Sequence, residues 1–420
     1  MSLQEDLSVE QALAAVLAGV SVLPSENVPL LESLGRVLAA PVIAQDSLPP
    51  FANSSMDGYA VRTADVAAAT EQPVTLRVVA DVAAGQMNPT VIGPGLAARI
   101  MTGAPMPPGA DAVVPVEATN EAWRGRERPL PPTIQISRSV QPGDYVRGVG
   151  EDIQAGQTVI PVGRIVRPQE IGVMASLGIS QVAVVRRPLV GVLATGDELL
   201  PIDQPLTPGK IRNSNGYTQA AQVAALGAQP LMLGIAGDSE ADVRRCLQVG
   251  LEAGVDLFVS SAGVSVGAYD VVKAVLEQEG QVGFWRVRMR PGKPLAYGRY
   301  QGIPYLGLPG NPVSALVSFE RFARAAILKM GGHTRLDRPQ LTVVLQDAIH
   351  SDGRESYIRA VVARSEAGGY SATTTGSQGS HVMTSLVKAN ALLIVPEGVT
   401  FVPPGEHLRA WMLDWPEMVF

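Results

Sequence analysis

The run Arg286-Val287-Arg288-Met289-Arg290-Pro291-Gly292-Lys293 carries four cations in eight residues, three of them at every second position. On a strand of period two, Arg286, Arg288 and Arg290 point to one face. A guanidinium takes an oxyanion in a two-pronged fork, and the Lys293 ammonium acts as a point charge. The same arginines could equally be a solvated edge that discourages strand pairing. Two glycine turns flank this run. Leu257 to Val259 reads as a buried strand closed by Ser260 and Ser261. Gly263 and Gly267 then let backbone approach a ligand, and Ser261 and Ser265 offer hydroxyls. Downstream, Gly310 and Asn311 precede an apolar helix with Pro312 in its first turn, followed by Ser314. Free N–H groups at such a start suit a phosphate or another tetrahedral oxyanion.

These turns need a frame. From Arg187 the sequence alternates apolar strands and helices: strand Leu189 to Ala194, helix Gln219 to Leu226 stopped by Gly227, and strand Pro230 to Ile235. A helix capped by Asp238 follows, then the strand at Leu257. That alternation predicts a doubly wound parallel sheet with right-handed crossovers. Ligands in such sheets sit beyond the carboxyl ends of the strands, where Thr195, Glu198, Asp238, Ser261 to Gly267 and Gly307 to Ser314 fall. The carboxylates of Asp197, Glu198, Asp238 and Asp270 have two readings. They hold magnesium against a phosphate, or Asp238 and Asp270 only cap helices and Glu198 is solvated.

Composition narrows the classes. At 420 residues the chain is too long for one core, and about two to four domains are expected. The formal net charge of −6 gives no footprint for nucleic acid, so an anion site must be a local basic patch. One cysteine, Cys246, excludes a disulfide framework and a cysteine-built zinc site, and four histidines are too few and scattered for a histidine site. Glu5 and Asp6 sit where a signal peptide would be basic, and no apolar run is long enough to span a bilayer. A cytoplasmic protein is expected.

Ser8 and Gln11 form a capping-box pattern ahead of a helix over residues 8 to 19, and Leu30 to Ala40 reads as a second helix or half-helix, stopped by Pro41. Residues 72 to 145 read as all-β, with Asp57-Gly58 as a turn before them and Thr102-Gly103 after an apolar strand end. Pro168 to Leu177 reads as a further helix. The helices before residue 50 and after 165 are expected to pack together around an inserted β domain. After Gly331-Gly332 the runs are short and strand-like, a small barrel or sandwich. It carries an Arg354 to Arg359 segment and a Gly376 to His381 turn.

Taken in order, LGRVLAAPV, SSMDGYAV, RIMTGAPMPPGADAVV, GEDI, TGDEL, SSAGVSVGAYD, RPGKPLAYG, GLPGNPVS and the QGS turn resemble the molybdopterin molybdenumtransferase family: bacterial MoeA, the E domain of gephyrin and its plant counterpart. The similarity covers nearly the whole chain. It implies a multidomain α/β plus β fold. Its parts are a discontinuous helical linker domain (1–50 and 146–183), an inserted β domain (51–145), a doubly wound MogA-like α/β domain (184–331) and a C-terminal β-barrel (332–420).

The resemblance also implies a homodimer that inserts molybdate into adenylylated molybdopterin with Mg2+, releasing AMP and molybdenum cofactor. Its expected partners are a MogA-type adenylyltransferase and apo-molybdoenzymes or their chaperones. The family's site is shared between subunits. By this match Asp57, Thr102 and Asp152 belong to it with Glu198, Asp238 and Asp270, the last two as metal ligands. Arg286, Arg290, Lys293 and Ser314 fall at the oxyanion-binding positions, and Arg359 and Ser380 at the C-terminal ones. Three departures stand out: Arg290 where the family's turn opens with lysine, Ala262 for a usual glycine, and Ala268 for a common acidic residue. A molybdopterin adenylyltransferase and a non-catalytic pterin-binding scaffold are the competing readings.

Overall fold

The computed structural model describes residues 4–121, 129–261, 271–365 and 368–415, and the chain divides into two compact units. One unit comprises residues 1–28, 33–39 and 183–420, the other 29–32 and 40–182.

The larger unit is built on a seven-stranded sheet. Leu189–Thr195 lies between Gln229–Ala236 and Leu257–Ser261, and all three run parallel. Ile303–Leu308 joins them in parallel, and Pro294–Tyr300, Gly280–Val287 and Gln4–Leu7 complete the order. Near-continuous apolar strands are what a sheet covered on both faces requires. Val190, Val192, Leu257, Val259 and Leu306 pack into one core, while Leu193, Phe258 and Tyr305 pack into the other. The helices Glu240–Ala253 and Val271–Glu279 close the second face, with Cys246 buried among them.

The helix Val9–Ala18 starts with the expected capping box: Gln11 N–H donates to Ser8 Oγ at 3.1 Å, and Ser8 N–H to Gln11 Oε1 at 2.9 Å. Its position is not the expected one. Val9, Ala12 and Val16 lie in the first core of the α/β sheet, whereas the helix Pro168–Ser176 belongs to the other unit. The apolar stripe of the first helix is satisfied by Phe319, Phe322 and Ile327, which leaves it no face for a helical layer. Leu30 to Ala40 is not a full helix either. A single 3₁₀ turn, Leu30–Ser33, precedes irregular backbone, and Gly35 at φ +75° ends any helical path.

The C-terminal strands close on themselves. Glu355–Arg364, Tyr370–Thr374, Gln340–Leu345, His407–Met412 and Ala391–Val395 pair in that order, and the last returns to the first, giving a five-stranded barrel. Alternation decides what each side chain does. Leu393 and Val395 fill the barrel, while Leu392 and Ile394 join Tyr357 and Trp411 in the core of the α/β sheet. One sixth strand, Met289–Arg290, pairs in parallel with the barrel strand Glu355–Arg364 and ties the two folds together.

In the smaller unit, Gly58–Val61, Val74–Val82, Leu96–Ile100, Ala112–Pro115 and Thr133–Ile136 form one five-stranded sheet, in line with the all-β reading of that region. Among the described residues no helix is long and apolar enough to cross a membrane.

Candidate active site

The parallel strands Leu189–Thr195, Leu257–Ser261 and Ile303–Leu308 all end at one side of the sheet, and their ends form the floor of a cleft of about 760 Å³. Thr195 and Ser261 lie on that floor, and the Thr195 hydroxyl donates to Ser261 O at 3.2 Å. Glu198 stands beside them. Its carboxylate folds back over Gly196, whose φ of +135° suits only glycine and whose missing Cβ leaves the carboxylate its place.

A second wall is the Arg290 to Lys293 turn. Gly292 has φ +108°, and a Cβ there would overlap Ser318 Oγ, so glycine is needed twice over. The third wall is Gly310, Asn311 and Ser314, at the start of the helix Pro312–Ser318. The barrel supplies the fourth: Arg354, Gln378, Gly379 and Ser380. Val313 N–H donates to Ser380 O at 3.1 Å, so the QGS turn is bonded to the helix start.

The sequence places Arg286, Arg288 and Arg290 on one face, and the structure separates them. Arg286 is the penultimate residue of the α/β strand Gly280–Val287, and Arg290 lies in the barrel-paired strand Met289–Arg290. Arg288 is committed to Asp6 O and Glu397. Only Arg290 lines the cleft; Arg286 does not. A chain that changes sheets between Val287 and Met289 cannot keep one face.

Asp238 is not the helix cap; Ser239 is, accepting from Asp242 N–H at 3.2 Å. Asp238 lies exposed after its strand, with its N–H donated to Asp197 Oδ1 at 2.9 Å. Gly263, Ser265, Gly267 and Asp270 lie outside the described residues, as do Ala262 and Ala268. Asp57, Thr102 and Asp152 belong to the other unit. There Asp57 Oδ1 accepts from Thr102 N–H at 2.7 Å and from Thr102 Oγ1–H at 2.8 Å, while Asp152 is exposed in a turn with its N–H donated to Leu48 O.

Arg359 is 1% exposed. Its strand parity turns it outward with Tyr357, and it meets a smaller cavity of about 150 Å³ shared with Arg290, Thr374 and Gln378. Its Nε donates to Ser385 Oγ at 3.1 Å and its Nη2 to Gly379 O at 3.1 Å. Its side-chain partners among the described residues are all neutral. Burial, with Arg290 nearby, pushes the guanidinium down to about 10. A cation kept inside without a carboxylate is costly unless an anion joins it.

Sequence reasoning missed Arg212, Asn213 and Asn215 on the cleft wall, and it named Arg354 and, within the QGS turn, Gln378 without a role. The Asn213-Ser214 pair was a legible cap signal: Asn213 Oδ1 accepts from Gly216 N–H at 2.9 Å at the start of Ser214–Ala225. Of the charged side chains on the cleft, among the described residues, Arg212, Arg290, Lys293 and Arg354 are cationic and Glu198 alone is anionic. The cleft is built for a ligand with several negative charges. Among the described residues no group of three His, Cys, Asp or Glu side chains could hold a metal ion.

Comparison with known proteins agrees along the chain. Residues 7–178 match the MoeA N-terminal region (domain I and II), residues 191–329 a probable molybdopterin binding domain, and residues 342–413 the MoeA C-terminal region (domain IV). The chain is 40% identical over 395 residues to molybdopterin molybdenumtransferase 2 of Mycobacterium tuberculosis, covering 92% of this chain and 95% of that one. It is 40% identical over 396 residues to the molybdopterin molybdenumtransferase of a Nostoc species, covering 93% and 89%. A crystal structure of the molybdopterin biosynthesis MoeA protein of Pyrococcus horikoshii superposes with a TM-score of 0.81 at 29% identity, over 98% of this chain and all of that one.

Proposed function

The chain belongs to the MoeA family of molybdopterin molybdenumtransferases, and from that premise we propose that it acts in molybdenum cofactor biosynthesis, inserting molybdate into adenylylated molybdopterin with release of AMP. One observation carries the reading: among the described residues, four cations face one carboxylate in a cleft at the carboxyl ends of parallel strands. Molybdate is a tetrahedral dianion, and the adenylylated pterin carries a phosphoanhydride. Both need fixed cations more than a covalent catalyst.

In this reading Arg290, Lys293, Ser314 and Ser380 hold molybdate, with Arg359 behind them. Thr195, Glu198, Gly310 and Asn311 hold the adenylylated substrate from the strand ends. The cations offset charge that builds on the leaving oxygen as water cleaves the phosphoanhydride and AMP departs, while the two dithiolene sulfurs of the pterin replace two molybdate oxygens, which leave as water. Asp57, Thr102, Asp152 and Arg286 are assigned to the reaction by the family resemblance, and Gly263, Ser265 and Gly267 by the glycine turn they form in the sequence.

Magnesium is part of the proposal. It commonly takes one or two carboxylates and completes its shell with substrate phosphate and water, so a site without three protein carboxylates fits it. Asp238 and Asp270 are the proposed ligands, and the ion would supply charge neutralisation on the phosphates. The proposed assembly is a homodimer in the cytoplasm, fed by a MogA-type adenylyltransferase and emptied by apo-molybdoenzymes or their chaperones.

An adenylyltransferase is the weaker reading, because an α/β domain alone lacks the barrel's contribution of Arg354, Gln378 and Ser380 to the cleft. The deciding assay is AMP release from adenylylated molybdopterin by the purified protein, with and without molybdate and magnesium. Molybdate-dependent release that reactivates a molybdenum-free apoenzyme is expected. Tight pterin binding with no release would return the chain to a scaffold role.

A further inference from the structure

Arg290 is the one charged residue that lines both the 760 Å³ cleft and the 150 Å³ cavity around Arg359, among the described residues. Its guanidinium has five donors, yet its ion partner, Asp352 Oδ2, stands 3.7 Å away, beyond hydrogen-bond reach. Asp352 is spent elsewhere. Arg354 Nε donates to Asp352 Oδ1 at 3.2 Å and Oδ2 at 3.1 Å, and Arg354 Nη2 also reaches Oδ2. The same Arg354 donates from Nη1 to Met289 O at 3.1 Å, and Glu355 N–H donates to Arg288 O at 3.1 Å. The carboxylate is thus bolted to the strand that carries Arg290, at a distance that attracts the guanidinium without filling its fork. The Arg354 hydrogen bond also holds the Asp352 carboxyl below its ordinary range, so the charge persists at neutral pH.

The geometry points to Asp352 as a placeholder counter-ion for Arg290, one that an incoming oxyanion of the substrate displaces. An oxyanion entering the cleft offers Arg290 charge-assisted hydrogen bonds that Asp352 does not. Asp352 keeps the guanidinium turned to the cleft in the resting protein and lowers its affinity for stray anions. Asp352 is therefore a positioning residue that acts through Arg290, and this role rests on the transferase reading only for the identity of the oxyanion.

The test is calorimetric binding of molybdate alone to the full chain, in wild type, D352N, R290A and the double variant. Both side chains are more than a third exposed, so D352N is expected to tighten molybdate by roughly two- to fivefold. R290A is expected to weaken binding, and adding D352N to R290A should change nothing further. Equal or weaker binding by D352N overturns the exchange. So does tightening that survives in R290A, which would be a general field effect, and so does a wild type that binds no molybdate. The transferase reading fails separately, by a protein that shows this coupling yet releases no AMP from adenylylated molybdopterin.

Discussion

Arg359 and Gly292 show what single positions do in this cleft. Arg359 is a buried cation among neutral partners, and its pKa near 10 fixes the sign of its pH behaviour. Below about 10 it is charged in both folded and unfolded chains, and the cost of burying that charge is fully present. As pH rises through about 10 the folded form loses the proton first and that cost is relieved. Affinity moves the other way, since the neutral form no longer attracts an anion. Molybdate binding followed from neutral pH upward is expected to weaken more in the wild type than in Arg359→Met. Equal profiles in the two proteins would remove Arg359 from the site. Gly292→Ala puts a side chain at φ +108° against Ser318 Oγ. It is expected to cost about 1–3 kcal/mol in urea unfolding and to depress molybdate-dependent AMP release more than pterin binding.

At the scale of elements, the helix Pro168–Ser176 depends on Glu170. This nearly buried carboxylate accepts from Arg167 N–H, from the Arg167 side chain and from Arg164 Nε. The Arg167 side chain chiefly, then Arg164, holds it down to about 2, against 4.5 in the unfolded chain. Its stabilisation is complete above about 4.5 and is lost as pH falls towards about 2. Glu170→Gln is expected to lower stability by roughly 1 kcal/mol at neutral pH and to lose that difference in acid. Equal neutral-pH unfolding midpoints would contradict this.

Elements of this size were legible where periodicity is strong. The runs Leu189–Thr195 and Leu257–Ser261 are buried on both faces and read as such, and Ser8 with Gln11 announced its capping box. The two-residue strand Met289–Arg290 was not legible. Nothing local in RVRMRPGK marks a change of sheet, because the partner that causes it, Glu355–Arg364, lies far along the chain. For the same reason the oxyanion turn and the strand ends could be named from sequence, but Arg212, Arg354 and Gln378 acquire their place on the cleft only through tertiary packing.

At the scale of the whole molecule, the family's homodimer is an expectation for light scattering of the purified chain, where a monomer mass at working concentration would remove it. A chain ending before Gln340 would lose Arg354, Gln378, Gly379 and Ser380 from the cleft and expose the core side chains that Tyr357, Leu392 and Trp411 cover. It is expected to be poorly soluble as well as inactive. The bond from Val313 N–H to Ser380 O has a further use. It places one amide hydrogen of the α/β fold under a carbonyl of the barrel turn. Deuterium uptake at that single amide, read by residue-resolved exchange, becomes a clock for the turn lifting away from the helix start. Substrate that bridges the two should slow the clock, and departing product should let it run.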